Sequence, residues 1–81
     1  METRVAIISI IIENPENVEK LNKLLHEYMA YTIGRMGIPY KQKDIYIISI
    51  AIDAPQDTIS ALAGKIGRIP GIATKTTYSN F

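Results

Sequence analysis

The apolar residues of this chain follow two different periods. Residues 4–13 and 44–53 are rich in β-branched side chains and contain neither glycine nor proline, which predicts two strands. Residues 16–30 and the segment from Pro55 to Gly67 carry apolar side chains at three- and four-residue spacings, which predicts two amphipathic helices. The apolar faces consist of Val18, Leu21, Leu25, Tyr28 and Met29 in the first helix and Ile59, Leu62, Ala63 and Ile66 in the second.

Each predicted helix begins at a proline. Asn14 is the expected N-cap of the first helix, and Pro15 takes the first helical position, where its missing N–H costs nothing. Pro55 opens the second helix, and Gly67 is the expected end of it. Two further strands are predicted after the helices, at residues 31–40 and 72–78. The polar segment YKQKD between the second and third strands is the expected hairpin connection.

The element order is therefore β-α-β-β-α-β, which predicts a single α+β domain of the ferredoxin-like class over residues 1–81. Two helices pack on one face of a four-stranded antiparallel sheet in this fold. The first and third strands are central, and the second and fourth lie at the edges.

Two segments of the chain repeat each other at an offset of forty residues. Residues 7–15 read IISIIIENP and residues 47–55 read IISIAIDAP, so six of nine positions are identical. The repeat indicates a duplicated β-α-β unit. The alternative is that IISI is simply common strand sequence, and the shared position of Pro15 and Pro55 favours duplication over it.

The face of the sheet that the helices do not cover, called the open face below, is predicted to be apolar. Because side chains alternate along a strand, one set of residues in the two central strands must lie there. An apolar patch on this face marks an interface, and we expect a homo-oligomer, a dimer or a tetramer, formed through the sheet. The alternative is that the terminal residues YSNF cover the face. The predicted interface residues are Val5, Ile7, Ser9, Ile11, Ile45, Ile47 and Ser49.

Composition limits the classes of partner. The formal net charge is +1, and the nine Lys and Arg are scattered among eight Asp and Glu, so no nucleic-acid contact is expected. The chain has no cysteine, which leaves no disulfide, zinc knuckle or thiol chemistry to propose. The N-terminal apolar run is too short for a membrane span and has no basic region before it, so a cytoplasmic address without membrane contact is expected.

Catalysis is not expected from these residues. His26 is the only histidine, and the carboxylates lie at helix starts or strand ends without a spacing that suggests general acid and base work. The segment YTIGRMGIPY lacks the lysine of a phosphate-binding loop. We therefore predict a protein that is not an enzyme, holds no cofactor and has no metal site of its own.

Arg35 is the most informative polar residue. It lies in a predicted edge strand between Gly34 and Gly37, which allow close approach of a backbone or a ligand. Arg35 either pairs with a carboxylate across a subunit contact or holds an anionic ligand there. A ligand would lie at a subunit boundary, near Arg35 and the turn at Glu13 and Asn14 that follows the first strand. His26 flanks the apolar stripe of its helix, and it is either hydrogen-bonded at that boundary or part of the ligand site.

The segments LLHEY, IGRMGIPY, IISI and ISALAGKIGRIPGI and the closing TKT resemble the small ACT-like proteins known as iron-only hydrogenase system regulators. The resemblance covers nearly the whole chain. It implies a small regulatory protein that binds a hydrogenase-system protein or a small molecule. A generic ACT-type small-molecule sensor without a hydrogenase connection is the alternative.

The chain is more distantly similar to the C-terminal domain of nickel-responsive regulators. His26 has a counterpart in that family, whose other nickel ligands are histidines on the second strand and a cysteine at the start of the third. The corresponding regions here, TIGRMGIPY and KDIYI, contain neither residue type. The comparison therefore implies no nickel site. Because the chain starts at the first strand, no DNA-binding domain is expected before it.

Overall fold

The computed structural model describes residues 2–80. Four strands and two α-helices follow one another in the predicted order. They are β1 (Arg4–Ile12), α1 (Val18–Glu27), β2 (Thr32–Tyr40), β3 (Ile45–Ala54), α2 (Gln56–Gly67) and β4 (Ile72–Tyr78). Short 3-10 turns occupy Pro15–Asn17, Met29–Tyr31 and Lys41–Lys43.

The four strands form one sheet in the order β2-β3-β1-β4, and each neighbouring pair is antiparallel. β3 and β1 are therefore central, whereas β2 and β4 are the edges. Apolar residues of both helices join a single core with one side of the sheet. This arrangement confirms the α+β ferredoxin-like fold that the element order predicts.

The register of the central strands gives the sequence repeat a structural meaning. Ser9 of β1 pairs with Ser49 of β3, and these two residues are also equivalent in the repeat, at the offset of forty. Because β1 and β3 are antiparallel, an approximate two-fold axis passes through the sheet between the two serines. It relates β1 to β3 and β2 to β4, which matches the strand order. The register is therefore consistent with two β-α-β halves packed as a pair.

The core lies where the apolar pattern places it. Alternate residues of β1 and β3 are buried with the inner faces of both helices. The buried side chains are Ala6, Ile8, Ile10 and Ile12 of β1, Leu21 and Leu25 of α1, Ile48, Ile50, Ile52 and Ala54 of β3, and Ile59, Leu62 and Ile66 of α2. The interpretation of Met29 as a core residue was wrong, because its side chain is 59% exposed. Ala63 is half-buried rather than buried.

The first helix is shorter than the predicted 16–30. Asn14 caps its entry as predicted, since Asn14 Oδ1 accepts the Glu16 N–H at 3.0 Å, but the first turn after Pro15 is 3-10. At the other end, Tyr28 adopts φ −106° and ψ 14°, which ends the α-helix at Glu27. The chain then makes a second 3-10 turn, and this turn carries Met29 away from the core.

The turn after β1 is fastened to the loop before β4. The Glu13 N–H donates to the Gly71 carbonyl at 2.9 Å, and Asn17 Nδ2 donates to the Pro70 carbonyl at 2.6 Å. Gly71 has φ +78°, a left-handed conformation that favours glycine. A Cβ at this position would lie 3.2 Å from the Asn14 Cβ. Gly71 therefore closes the contact between the two halves at this end of the sheet.

The residues that follow β4 continue beside β1. The Ser79 N–H donates to the Val5 carbonyl at 2.8 Å, and Arg4 donates to the Ser79 carbonyl at 2.9 Å. The Arg4 guanidinium also lies 4.7 Å from the centre of the Tyr78 ring. Tyr78 and Ser79 thus extend the sheet and do not fold over its open face. Phe81, the last residue of the segment YSNF, lies outside the described residues.

Candidate functional site: the open face of the sheet

An apolar row crosses the open face from one edge of the sheet to the other. The strand register aligns Ile38 of β2 with Ile47 of β3, Ile47 with Ile11 of β1, and Ile11 with Ala73 of β4. Ile38 is 45% exposed and Ile11 is 42% exposed, so these side chains have no cover within the described chain. Four neighbouring strands therefore present a continuous apolar strip to the exterior.

In the next two rows of the open face, most side chains are smaller or polar, and Met36 and Ile7 are the large apolar ones. Met36, Ser49, Ser9 and Lys75 lie side by side through the centre of the sheet. A third row consists of Gly34, Ala51, Ile7 and Thr77. In this third row, Ile7 is the only large side chain, and it is 47% exposed. Shallow depressions of about 180 and 160 Å³ flank Ile11 and Ile7 along the boundary with β4.

The seven residues predicted for this face all lie in β1 and β3 and alternate with the buried set. The contribution of β2 was missed. Met36, Ile38 and Tyr40 carry the apolar surface to the β2 edge, and each is exposed. Counting alternate residues back along β2 from the YKQKD hairpin would have assigned these three side chains to the open face. Gly34 and Gly37, however, interrupt the alternation of apolar and polar residues in this strand. A bulge between Thr32 and Gly34 also changes the alternation, because it places Ile33 outside the ladder.

The exposed large apolar residues are concentrated in one continuous stretch. Of the eight in the described chain, two are Ile7 and Ile11, and the other six fall within residues 29–40. The six are Met29, Tyr31, Ile33, Met36, Ile38 and Tyr40. The apolar surface is therefore strongest toward β2, whereas the β4 side carries Lys75 and Thr77.

Arg35 lies on the other side of the sheet from this surface. Its register partner is Ile50, a core residue under the helices, and its Nη2 donates to Asn22 Oδ1 of α1 at 3.0 Å. His26 follows Asn22 by one helical turn, so both lie on the same side of α1. Both Arg35 and His26 are exposed. The fold thus brings the predicted arginine and histidine to one region between α1 and β2.

Asn14 does not belong to that region. It caps the turn after β1 and packs against Gly71, which directly precedes β4. The strand register aligns Ile12, just before this turn, with Tyr46 and Pro39, so the turn lies about four residues, or about 13 Å, along β2 from Arg35. The glycines that flank Arg35 also differ: a Cβ at Gly37 would lie 3.3 Å from the Tyr46 hydroxyl, whereas one at Gly34 would meet nothing within 4 Å.

Lys65 and Tyr28 form a polar contact between the two helices. Lys65 Nζ donates to the Tyr28 hydroxyl at 3.0 Å, and this hydrogen bond raises the pKa of the Lys65 ammonium. Because its pKa is raised, the Lys65 side chain stays protonated and keeps its positive charge at neutral pH. In residues 2–80 no side chain with a polar or charged head group is buried, and no three His, Cys, Asp or Glu residues cluster as metal ligands.

We expect no nickel binding of sub-micromolar affinity. Calorimetric titration of the purified protein with Ni²⁺ should give no stoichiometric transition, because a lone exposed histidine offers one imidazole ligand where such sites need several. His26→Ala is the matched control, and its titration should be indistinguishable from that of the wild type. Stoichiometric binding that is lost in His26→Ala would contradict the prediction and point to a site completed by other subunits.

Comparison with known families agrees with this geometry. Residues 4–76 match the family described as "TM1266-like: Iron-only hydrogenase system regulator, putative". The chain belongs to this family. The TM1266-like chain is also similar to the structure of uncharacterized protein TM1266 from Thermotoga maritima. The two share 32% sequence identity at a TM-score of 0.90, over 95% of this chain and 98% of that one. No protein of curated function matches.

Two more distant structures share only the fold with the TM1266-like chain. The C-terminal domain of the MgtC protein from Mycobacterium tuberculosis has 11% identity and a TM-score of 0.74, over 94% of this chain and 87% of that one. A formyltetrahydrofolate deformylase from Pseudomonas putida KT2440 has 17% identity and a TM-score of 0.68. That similarity covers 95% of this chain and 29% of the deformylase.

Neither helix within residues 2–80 has the length and hydropathy of a membrane span.

Proposed function

We propose that this protein is a small non-enzymatic regulator of an iron-only hydrogenase system and that it acts as a homo-oligomer assembled through the open face. Membership of the TM1266-like family supports the connection with hydrogenase. The exposed apolar row through Ile38, Ile47 and Ile11 supports the assembly. The site offers surfaces for binding rather than groups for chemistry.

The size of the open face suits a protein contact. Four strands at about 4.8 Å spacing and about 30 Å in length give a face of roughly 570 Å² in projection. Side chains that protrude from it add accessible area, so the value approaches the roughly 800 Å² per partner of a standard interface. The described chain also has 5448 Å² of accessible surface, compared with about 4,850 Å² expected for a compact monomer of this mass.

A second copy of the chain is the occupant that the face fits best. The register places a row of large side chains, Ile38, Ile47 and Ile11, on one side of the central serines and a row of smaller ones on the other. A two-fold axis along the central row would lay the large row of one copy over the small row of its partner, so that Ile47 meets Ala51. One surface therefore supplies both complementary halves of an isologous contact.

The role in hydrogenase function can be tested in the source organism. Deletion of the gene should change hydrogenase activity in cell extracts, and restoring the wild-type gene should return it. Complementation with Ile11→Lys should fail, because the variant cannot assemble, whereas Ser60→Lys should succeed, because it adds the same charge on the exposed surface of α2. Unchanged hydrogenase activity after deletion would refute the proposed role.

A further inference from the structure

Lys75 is the one charged side chain among the three rows of the open face. It is exposed, and within residues 2–80 its ammonium has no hydrogen-bond or ion-pair partner. The carboxylates closest to its row along the central strands are those of Glu13, beyond the end of β1, and Asp53 of β3. The register puts each of them four residues away along its strand, about 13 Å. The fold therefore leaves this positive charge without a counter-charge.

A depression of about 180 Å³ lies beside this ammonium. Ile11 of β1 and Ala73 of β4 supply its apolar lining, and Ser9 and Lys75 form its polar side. It exists because β4 places a small residue, Ala73, next to the large Ile11, and because β4 is an edge of the sheet. Thr74 fixes the rim, since its Oγ1 donates to the Ser9 carbonyl at 3.0 Å. The depression thus joins an apolar surface to an unpaired cation.

A second depression along the same boundary provides a contrast within the molecule. It has about 160 Å³ and lies beside Ile7 and Thr77, again between β1 and β4. Its lining contains no charged side chain. The two depressions are therefore alike in size and position on the open face, and they differ in the ammonium group of Lys75.

We propose that the depression beside Lys75 binds a small monocarboxylate with a compact apolar body. The carboxylate accepts hydrogen bonds from the Lys75 ammonium and the Ser9 hydroxyl, and the apolar body lies against Ile11 and Ala73. Since a cavity of about 150 Å³ accepts a benzene ring, about 180 Å³ suits an acid of the size of benzoate. One ammonium balances a single negative charge, whereas a phosphate dianion would bring a second charge against an apolar lining at a cost in free energy.

The bound acid competes with the assembly of two open faces, because it covers Ile11 in the apolar row that a second copy would contact. This part of the inference deepens the assembly proposed above and rests on it, whereas binding itself requires only one chain. Each copy must release its ligand before the two faces meet. Ligand at ten times its dissociation constant should therefore raise the apparent dissociation constant of the dimer about 100-fold.

Amide chemical shifts in a monomeric variant test the site. Ile38→Lys places a charge in the apolar row two strands from Ile11, so it disrupts the face contact and leaves the depression intact. Titration with benzoate should shift the amides of Ser9 and Lys75 with a dissociation constant on the order of 1 mM. The amide of Thr77, in the second depression, should shift much less. No shift at Ser9 and Lys75 up to the solubility limit of benzoate would overturn the proposal.

Benzamide and inorganic phosphate separate the two parts of the site. Benzamide has the shape of benzoate without its charge, and phosphate has negative charge without an apolar body. Neither should shift the Ser9 and Lys75 amides at the concentration at which benzoate saturates them. Equal shifts with benzamide would overturn the role of the ammonium. Equal shifts with phosphate would mean that Lys75 attracts any anion, and would overturn the site.

Two variants test the lining residues. Lys75→Gln removes the charge from an exposed position and should weaken benzoate binding by about 10-fold or more. Ala73→Leu keeps the charge but fills the depression, so it should abolish binding. Unchanged affinity for benzoate in either variant, with a circular dichroism spectrum that shows it to be folded, would overturn the site.

Light scattering on the wild type tests the competition. Saturating benzoate should shift the assembled protein toward the chain mass of 9.0 kDa, whereas benzamide at the same concentration and sodium chloride at the same ionic strength should not. Assembly that persists while the site is saturated would overturn the competition. A wild type that is monomeric without benzoate would contradict the proposed assembly instead, and the titration of Ile38→Lys would still decide whether the site exists.

Discussion

Ile11→Lys should convert the assembled protein into monomers. Ile11 lies in the apolar row between Ile47 and Ala73, so a lysine there would place an ammonium group in the contact between two open faces. Burial of an unpaired charge costs several kcal/mol, which corresponds to a loss of affinity of at least about 100-fold. The fold should survive, because Ile11 is 42% exposed in the single chain and lies outside the core.

Light scattering coupled to size exclusion measures this change directly. The wild type should elute as a species of at least twice the chain mass of 9.0 kDa, and Ile11→Lys should elute near the chain mass. Ser60→Lys is the matched control and should assemble as the wild type does. A wild type that is monomeric across the micromolar range would contradict assembly through the open face.

Ile7→Lys provides a graded comparison on the same strand. Ile7 is flanked by Thr77 on β4 and by Ala51 on β3, and Ala51 is much smaller than Ile47, the β3 neighbour of Ile11. A long lysine side chain has room there to extend its ammonium group toward solvent at the β4 side. The mass distribution of Ile7→Lys should therefore shift less than that of Ile11→Lys. A larger shift for Ile7→Lys than for Ile11→Lys would mean that the contact between open faces is centred on the row that contains Ala51, Ile7 and Thr77.

The fold could be predicted from the sequence because local signals and global pattern agree. Strict alternation in β1 and β3 separates Ile8 and Ile10, which are buried, from Ile7 and Ile11, which are exposed. The proline after each of these strands marks the start of a helical segment. The repeat also indicates how β1 and β3 pair. Ser9 and Ser49 are equivalent at the offset of forty, and they are register partners in the sheet.

The features that could not be predicted from the sequence depend on contacts between residues that are far apart in the chain. The side of β2 that each residue occupies depends on the bulge at Ile33, and the two glycines on either side of Arg35 weaken the pattern that would reveal it. Arg35 could be assigned to an edge strand but not to a side of the sheet. Its hydrogen bond to Asn22 follows from the packing of α1, which no local sequence signal encodes.

The role of Asn14 shows a similar limit. Its position before Pro15 predicts an N-cap, and the hydrogen bond to the Glu16 N–H confirms this. Its contact with Gly71 joins residues far apart in the chain and could not be inferred from either segment. The sequence instead suggested Gly67 as the glycine that ends α2. The helix does end there, but the left-handed conformation falls four residues later.

Gly71→Ala and Gly64→Ala should change stability in opposite directions. At Gly71, φ is +78° and an added Cβ would lie 3.2 Å from the Asn14 Cβ, so the methyl group both strains the backbone and pushes apart the two loops. A loss of about 2 kcal/mol or more is expected. Gly64 lies in the exposed interior of α2 with nothing within 4 Å of the new Cβ, so alanine should stabilise the helix by about 0.5–1 kcal/mol.

Thermal unfolding of both variants should be measured in the Ile11→Lys background, because assembly would otherwise make the melting temperature depend on concentration. For a domain of this size, 1 kcal/mol corresponds to about 4–8 °C, so the two variants should differ by more than about 10 °C. Equal melting temperatures would mean that the loop before β4 moves to accept the methyl group. In that case the hydrogen bond from Glu13 to the Gly71 carbonyl could not be what holds the turn after β1 in place.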